Sequence, residues 1–215
     1  MIDRILDFIY PPRCAFCRTL LRTGTGLWVC PSCLEKLPRL TRDEQRRDVP
    51  HTELVLAPLR YEGVVRESLL RYKFGGLTAY AAVYAEFLAK CIDENGISCD
   101  IITWVPLSRK RLRRRGYDQA RILAEETAKK LGLPCEKLLE KRVDNRPQST
   151  VGDAEKRRAN AKGVYVCPDP DKLKGRRVLL IDDIVTTGST IAECASILKN
   201  AGCLAVYAAA AASRQ

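Results

Sequence analysis

The sequence lacks a hydrophobic run long enough to span a bilayer. Its longest apolar run, residues 203–212, is far shorter than the ~20 residues that a transmembrane helix needs. No basic region precedes the first apolar residues, and Asp3 and Asp7 interrupt them, which does not fit a secretory signal peptide. We therefore expect no membrane insertion and a cytoplasmic location.

Histidine is nearly absent, and acidic residues are outnumbered by basic ones. His51 is the only histidine, and it lies apart from the paired cysteines, so we assign it to a linker and not to a metal site. Hydrophobic residues make up 46%, which excludes disorder throughout the chain. Thirty-seven Lys and Arg against 26 Asp and Glu give a net charge of +11. This excess favours anionic partners such as nucleic acid, phosphorylated small molecules or a membrane surface, without choosing among them.

Four of the ten cysteines form two Cys-x-x-Cys pairs, Cys14 with Cys17 and Cys30 with Cys33, with twelve residues between the pairs. Two such pairs suit a tetrahedral Zn²⁺ site with no open position, so the metal would be structural. Zinc would contribute on the order of 10–16 kcal/mol to a module too small to bury a core. Redox pairing of the cysteines is the alternative. The other six cysteines are interpreted mainly as small buried hydrophobes.

The chain divides into two regions of different pattern. Residues 1–12 carry an apolar stripe at helical spacing that two prolines stop, and the paired cysteines follow. Residues 39–53 are polar and are interpreted as a linker, which places a boundary near Leu54. We therefore predict an N-terminal helix, zinc-ribbon module and linker over residues 1–53 and a second domain over residues 54–215.

Apolar strands alternate with helices in the second domain. Continuous hydrophobic strands between helices of ten or more residues predict an α/β fold, in which helices cover both faces of a parallel sheet. The predicted strands include residues 101–105, 178–181 and 204–211.

Residues 178–190, with the sequence VLLIDDIVTTGST, form the strongest functional motif. A buried strand delivers Asp182 and Asp183 at its C-terminal end, where open α/β sheets bind ligands. Residues with hydroxyl groups around Gly188 then begin a helix. Backbone N–H groups, side-chain hydroxyls and the positive end of the helix dipole therefore point to one position, which favours an anion. The acids would repel a phosphate but accept hydrogen bonds from ribose hydroxyls, which predicts a sugar-phosphate site. The alternative is a turn followed by an ordinary capped helix.

A basic segment follows the strand at residues 101–105. Six of the seven residues from 109 to 115 are basic, at the same edge of the sheet as Asp182. We interpret the segment as a loop that could neutralise departing pyrophosphate or bind nucleic-acid phosphates, and a solvated basic loop without function is the alternative. The basic residues are Arg109, Lys110, Arg111, Arg113, Arg114 and Arg115.

Residues 178–190 resemble the phosphoribosyl-pyrophosphate (PRPP) signature of type I phosphoribosyltransferases at all thirteen positions. The resemblance implies that Asp182 and Asp183 contact the ribose 2′- and 3′-hydroxyls and that residues 186–190 hold the 5′-phosphate. It also implies a Mg²⁺ ion between pyrophosphate and ribose oxygens. Thr186 stands where purine-salvage members have an acidic base, which disfavours hypoxanthine or guanine salvage. The implied PRPP-binding residues are Asp182, Asp183, Thr186, Thr187, Gly188, Ser189, Thr190, Leu107 and Ser108, and the implied catalytic residues are Asp182, Asp183 and Arg109.

The order of motifs along nearly the whole chain resembles the ComF family, phosphoribosyltransferase-like proteins associated with bacterial competence and DNA uptake. Many relatives carry eight cysteines in a double zinc ribbon, whereas the four here imply one zinc. Asp118 stands where the family usually has Asn. The positions that carry the resemblance are residues 11–14, 72–75, 105–108 and 115–120, Gln148, Arg157, Asn160 and residues 178–190.

The resemblance implies a PRPP-binding protein that could transfer a phosphoribosyl group, with Mg²⁺, and release pyrophosphate. An accessory role in DNA uptake is the main alternative, in which the zinc module and the basic segment bind single-stranded DNA beside other uptake proteins. A ribose-phosphate sensor without turnover is a third hypothesis. The sequence carries no recognisable signature for the acceptor substrate of a phosphoribosyl transfer.

Overall fold

The computed structural model describes residues 11–142 and 164–214, apart from residues 23 and 25. Most of the predicted N-terminal helix and the positions Gln148, Arg157 and Asn160 lie outside this range. In the described part of the chain, no helix combines the length and the hydropathy that crossing a bilayer requires.

Six strands form one mixed sheet in the order β1-β2-β8-β7-β4, with β3 also paired to β8. All pairs are parallel except that of β1 with β2. Two further strands, β5 and β6, pair antiparallel beside it. The strands are β1 (Arg46–Arg47), β2 (Leu54–Leu56), β3 (Leu59–Arg60), β4 (Ile101–Trp104), β5 (Glu140–Lys141), β6 (Tyr165–Val166), β7 (Arg177–Val185) and β8 (Ala205–Ser213).

Helices cover both faces of the sheet, which confirms the predicted architecture. Side chains alternate along a strand, so Leu179 and Ile181 of β7 enter one core while Val178 and Leu180 enter the other. The first core is shared with α2, α3 and α5, and the second with α6. The helices are α1 (Pro31–Lys36), α2 (Gly63–Phe74), α3 (Tyr80–Glu94), α4 (Arg109–Arg115), α5 (Gln119–Leu131) and α6 (Ser189–Asn200), with a 3₁₀ helix at Pro170–Leu173.

The segment interpreted as a linker, residues 39–53, packs on the sheet. Its strand β1 extends the sheet by pairing with β2, and Leu40 and Val49 are buried in the second core. The polar composition of the segment hid these two apolar contacts. The domain boundary near Leu54 stays a prediction.

The paired-cysteine segment packs against α2 and α3. Phe16, buried to 1% exposure, meets Tyr84 and Phe87 edge-on at centroid distances of 5.9 and 6.2 Å. Arg71 of α2 donates to the carbonyl oxygens of Ala15 at 3.2 Å and Phe16 at 2.6 Å. The cysteine module therefore shares the first hydrophobic core with the sheet.

Candidate functional site

The acidic pair lies at the carboxyl end of the parallel strands. The pairing of β4 with β7 ends at Trp104 and Ile181, and Asp182 and Asp183 follow directly. Strand β7 itself continues to Val185, beyond the predicted end at residue 181, because β8 pairs with it that far. Strand β4 therefore ends beside the position on β7 after which Asp182 and Asp183 follow.

The two acids point to opposite faces of the sheet, as successive residues of a strand do. Asp183 is 4% exposed and faces α2, where the Lys73 ammonium lies 3.0 Å from its Oδ1. Asp182 lines a small cavity with the turn that follows the strand. Its Oδ1 accepts a hydrogen bond from the Asp183 amide at 2.8 Å. The side chains therefore have different surroundings, although the sequence predicted one shared role.

Burial of the Asp182 carboxyl, together with the negative charge of Asp183, raises the pKa of Asp182 well above its usual range. Lys73 acts in the opposite direction more weakly. Hydrogen-bond donors or a cation at this edge would favour the ionised form. The acidic pair is therefore suited to a ligand with hydroxyl groups or to a bound cation.

The turn at residues 186–188 presents polar groups next to the acids. Among the hydrogen bonds of the described residues, none uses the amide N–H groups of Thr186, Thr187 or Gly188 as donors. The Thr187 and Ser189 hydroxyls lie 2.9 Å apart and are exposed, and Thr190 follows Ser189 in the first turn of α6. Free amides at the N-terminus of a helix favour an anion. Anion binding by this turn stays a prediction, with which the free amides and exposed hydroxyls are consistent.

Gly188 allows this turn to pack against the segment before β2. Its φ is 77°, in the left-handed region, and a Cβ there would lie 2.7 Å from Cγ2 of Val49. Glycine therefore serves both the backbone conformation and the close approach of Val49.

Gly188→Ala should lower the free energy of unfolding by about 1–3 kcal/mol, because it combines backbone strain with an overpacked contact. Gly132→Ala is the matched control, since Gly132 also has a positive φ (66°) but no atom within 4 Å of an added Cβ. Urea denaturation of both variants measures the difference. Equal losses would show that the Val49 contact contributes nothing, and Val49→Ala should recover part of the loss in Gly188→Ala.

The basic segment is a helix, which corrects the expectation of a loop. Helix α4 begins after Ser108, whose hydroxyl accepts a hydrogen bond from the Arg111 amide at 3.3 Å, and it ends at Gly116 with φ 81°. These are ordinary capping positions, so the chain can hold a helix despite its dense positive charge. Five of the six basic side chains are exposed: Arg109, Lys110, Arg111, Arg113 and Arg114.

Arg115 differs from the rest of the basic segment. It is half-buried, and its guanidinium lies over the Phe74 ring at 4.7 Å. Its Nε and Nη1 atoms are buried and have no hydrogen-bond partner among the described residues, as is true of Asp183 Oδ2. Arg115 lies close enough to Asp183 for the two charges to interact, so unpaired buried donors and an unpaired buried acceptor occur in the same region of the fold.

Leu107 and Ser108 have structural partners at this edge. The Leu107 amide donates to Asp118 Oδ2 at 3.2 Å, and the buried Ser108 caps α4. Asp118 also caps α5 by accepting from the Arg121 amide at 3.2 Å. Asparagine caps helices as well as aspartate does, so the departure from the family pattern at this position keeps the cap. Contacts of Leu107, Ser108 and Arg109 with PRPP stay predictions.

The sequence predicted no role for Lys73, although this residue lies within the motif at residues 72–75. The same motif provides Tyr72, whose hydroxyl donates to the Gln119 carbonyl oxygen at 2.6 Å, and the Tyr117 hydroxyl donates to the Tyr72 carbonyl oxygen. These bonds fix the end of α2 against α5. A basic residue two positions before a glycine pair was the available signal, but nothing local identified its acidic partner.

The four paired cysteines come together as predicted. The Sγ atoms of Cys14, Cys17, Cys30 and Cys33 all lie within 4.8 Å of one another, and those of Cys17 and Cys30 are 3.6 Å apart. Tetrahedral zinc with Zn–S bonds of ~2.3 Å needs sulfur atoms about 3.8 Å apart. The donor set and spacing therefore fit a closed structural zinc site.

Hydrogen bonds around the sulfur atoms also suit thiolates. The Cys30 amide donates to Cys14 Sγ and the Cys33 amide to Cys30 Sγ, each at 3.4 Å. A hydrogen bond with Thr19 lowers the pKa of Cys17 to about 6, whereas burial raises that of Cys33. Bound zinc would favour the deprotonated form of all four thiols.

Two family descriptions match this chain. The phosphoribosyl transferase domain matches residues 118–215, and the double zinc ribbon domain matches residues 5–44. The first match contains the acidic pair and the turn, and the second contains all four paired cysteines. Within the described residues, these cysteines form one four-thiol group.

Several curated proteins are similar to the chain. Competence protein F of Haemophilus influenzae is 35% identical over 99 residues, which cover 46% of this chain and 43% of that protein. DNA utilization protein YhgH of Salmonella typhimurium is 27% identical over 200 residues, covering 90% and 86%. Competence protein ComFC of Streptococcus pneumoniae is 31% identical over 147 residues, covering 66% and 60%. The alignment thus spans less than half of the first of these relatives.

Among solved structures, adenine phosphoribosyltransferase from Thermoanaerobacter pseudethanolicus aligns with a TM-score of 0.42 at 18% identity. The alignment covers 81% of this chain and 85% of that chain.

Proposed function

We infer that the chain binds PRPP at the acidic pair. It combines a type I phosphoribosyltransferase domain with a zinc ribbon, and it is similar to competence and DNA-utilization proteins. The unused amides at residues 186–188, directly beside Asp182 and Asp183, carry this proposal. Amides of this kind bind a phosphate, and carboxylates accept hydrogen bonds from ribose hydroxyls. We also propose that the boundary between the two domains lies between residues 53 and 54.

The residues of the site support each part of such a ligand. We assign the 5′-phosphate to the turn amides and to the hydroxyls of Thr186, Thr187, Ser189 and Thr190. We assign a ribose hydroxyl to Asp183 Oδ2, a buried oxygen that has no hydrogen-bond partner among the described residues. Mg²⁺, when bound with PRPP, would neutralise phosphate charge through hard oxygen ligands.

We also infer that the domain can release pyrophosphate from PRPP. The leaving group carries negative charge, and a cation already in place stabilises that charge without reorganisation. Arg115 supplies buried, unpaired N–H donors at this edge, and the exposed Arg109 lies at the first position of α4. A nucleophile would attack the anomeric carbon of the ribose as its bond to pyrophosphate breaks.

Calorimetric titration with PRPP and Mg²⁺ tests the binding site. We expect the double variant Asp182→Asn/Asp183→Asn to lose at least about tenfold in affinity. Asp171→Asn is the matched control, because Asp171 is an exposed acid in the 3₁₀ helix. Unchanged affinity in the double variant, or no PRPP binding by the natural chain, would overturn the assignment. Pyrophosphate release with ammonia or a nitrogenous base tests turnover, and its absence would favour a sensor.

We propose single-stranded DNA as a second ligand, in contact with α4 and the zinc module. The five exposed basic side chains of α4 form no ion pair with a described residue. A cluster of uncompensated positive charge on one short helix favours a polyanion. The DNA-related names of the homologues are consistent with this surface.

The salt dependence of binding distinguishes DNA contacts from incidental charge. Affinity for single-stranded DNA should fall linearly on a log–log salt plot, and each lost phosphate contact should reduce the slope by about 0.7. We expect Arg113→Ala/Arg114→Ala to reduce the slope, and Lys129→Ala/Lys130→Ala on α5 to leave it unchanged. A flat salt response would argue against phosphate contacts.

A further inference from the structure

Lys73 forms an ion pair with Asp183 that the sequence motifs did not predict. It stands at the C-terminal end of α2, and its Nζ is 3.0 Å from Asp183 Oδ1. The Lys73 and Asp183 side chains are 19% and 6% exposed, which makes this the most buried ion pair in the described part of the chain. Ion pairs at such depth are strongly coupled, because solvent screens them little.

Other charged groups near Asp183 do not replace this lysine. Arg115 interacts with Asp183 electrostatically but forms no ion pair with it within 4 Å in the described structure, and Asp118 and Asp182 add negative charge. The Lys73 ammonium is therefore the cation in direct contact with this carboxylate. Removing it would leave adjacent acids without a contacting cation at a site that must accept phosphate.

We propose that Lys73 is a positioning residue of the PRPP site, acting through Asp183. By holding Oδ1, it fixes the carboxylate and leaves Oδ2, a buried oxygen with no hydrogen-bond partner among the described residues, as the acceptor for a ribose hydroxyl. It also cancels one of the two negative charges next to the phosphate turn. This proposal rests on the proposed function, because it concerns the same ligand.

Two roles for Lys73 predict different energetic coupling. If Lys73 acts through Asp183, its replacement should matter only while residue 183 is ionised. If it contacted a phosphate of the ligand directly, its loss would weaken binding whether residue 183 were Asp or Asn. A double-mutant cycle separates these cases.

The cycle consists of Lys73→Met, Asp183→Asn and the double variant, each titrated with PRPP and Mg²⁺ by calorimetry. We expect Lys73→Met to weaken binding about tenfold in the natural background and less than about twofold in the Asp183→Asn background. Lys73→Arg, which keeps the charge, should stay within about threefold of the natural affinity. Lys90→Met on α3 is the control, because Lys90 forms an exposed ion pair with Glu94.

The outcomes separate the two proposals. Equal losses in both backgrounds would overturn the positioning role in favour of direct phosphate contact, and no loss in either background would overturn any role in binding. If the natural chain bound no PRPP, the proposed function would fail instead. Thermal unfolding without ligand shows whether each variant is folded, and Lys73→Gln provides a second neutral variant if the methionine variant is not.

Discussion

Replacing Cys30 with serine should abolish zinc binding and unfold the N-terminal module. Cys30 contributes one of four clustered sulfur atoms and also caps α1 by accepting a hydrogen bond from the Cys33 amide at 3.4 Å. A hydroxyl is a poor zinc ligand at neutral pH, so the site would keep three thiolates. Structural zinc contributes on the order of 10–16 kcal/mol in small zinc modules. We expect this substitution to have the largest effect on stability.

Zinc content and proteolysis measure the effect of Cys30→Ser. The natural protein should hold one zinc per chain by atomic absorption, and the variant should hold almost none and be cleaved rapidly within residues 11–44. Cys167→Ser is the control, because Cys167 is a half-buried thiol outside the cluster and should leave the zinc content unchanged. Full zinc occupancy in Cys30→Ser would contradict the four-thiolate site.

Replacing Phe16 with alanine should detach the cysteine module from the sheet domain. Phe16 is 1% exposed and makes edge-to-face contacts with Tyr84 and Phe87. Truncating a buried phenylalanine costs about 3–5 kcal/mol through lost transfer free energy and the cavity that remains. We expect the free energy of unfolding to fall by this amount while the zinc content stays at one.

Urea denaturation monitored by circular dichroism measures the effect of Phe16→Ala. Leu204→Ala is the control: Leu204 is 66% exposed, and its removal should change stability by less than about 0.5 kcal/mol. A loss below about 1 kcal/mol in Phe16→Ala would mean that the module and the sheet domain do not stabilise each other.

The sheet could be predicted from the sequence because its strands are continuous apolar runs between clear stop signals. The run at residues 178–181 was found, but the end of β7 at Val185 was not. Asp182 and Asp183 interrupted the apolar run before Ile184 and Val185, and the extension depends on pairing with β8, which is a tertiary contact. The same extension explains why Asp182 and Asp183 face opposite sides of the sheet.

The helix at Arg109–Arg115 was missed because its charge hides any hydrophobic period. Leu112 is the one apolar residue in it, so no stripe indicates a buried face. Ser108 before the segment and Gly116 after it were usable start and stop signals. The Lys73–Asp183 pair was beyond any local pattern, because its partners are brought together only by packing of α2 on the sheet.

Because the cysteine loop is anchored to α2, the metal-binding region packs as part of the sheet domain. Arg71 donates hydrogen bonds to the carbonyl oxygens of Ala15 and Phe16 in this loop. Two residues further along the same helix, Lys73 forms an ion pair with Asp183. A chain shortened to residues 54–215 would uncover Tyr84 and leave Arg71 without those carbonyls. The same helix therefore contacts both the cysteine loop and the acidic edge, through side chains two residues apart.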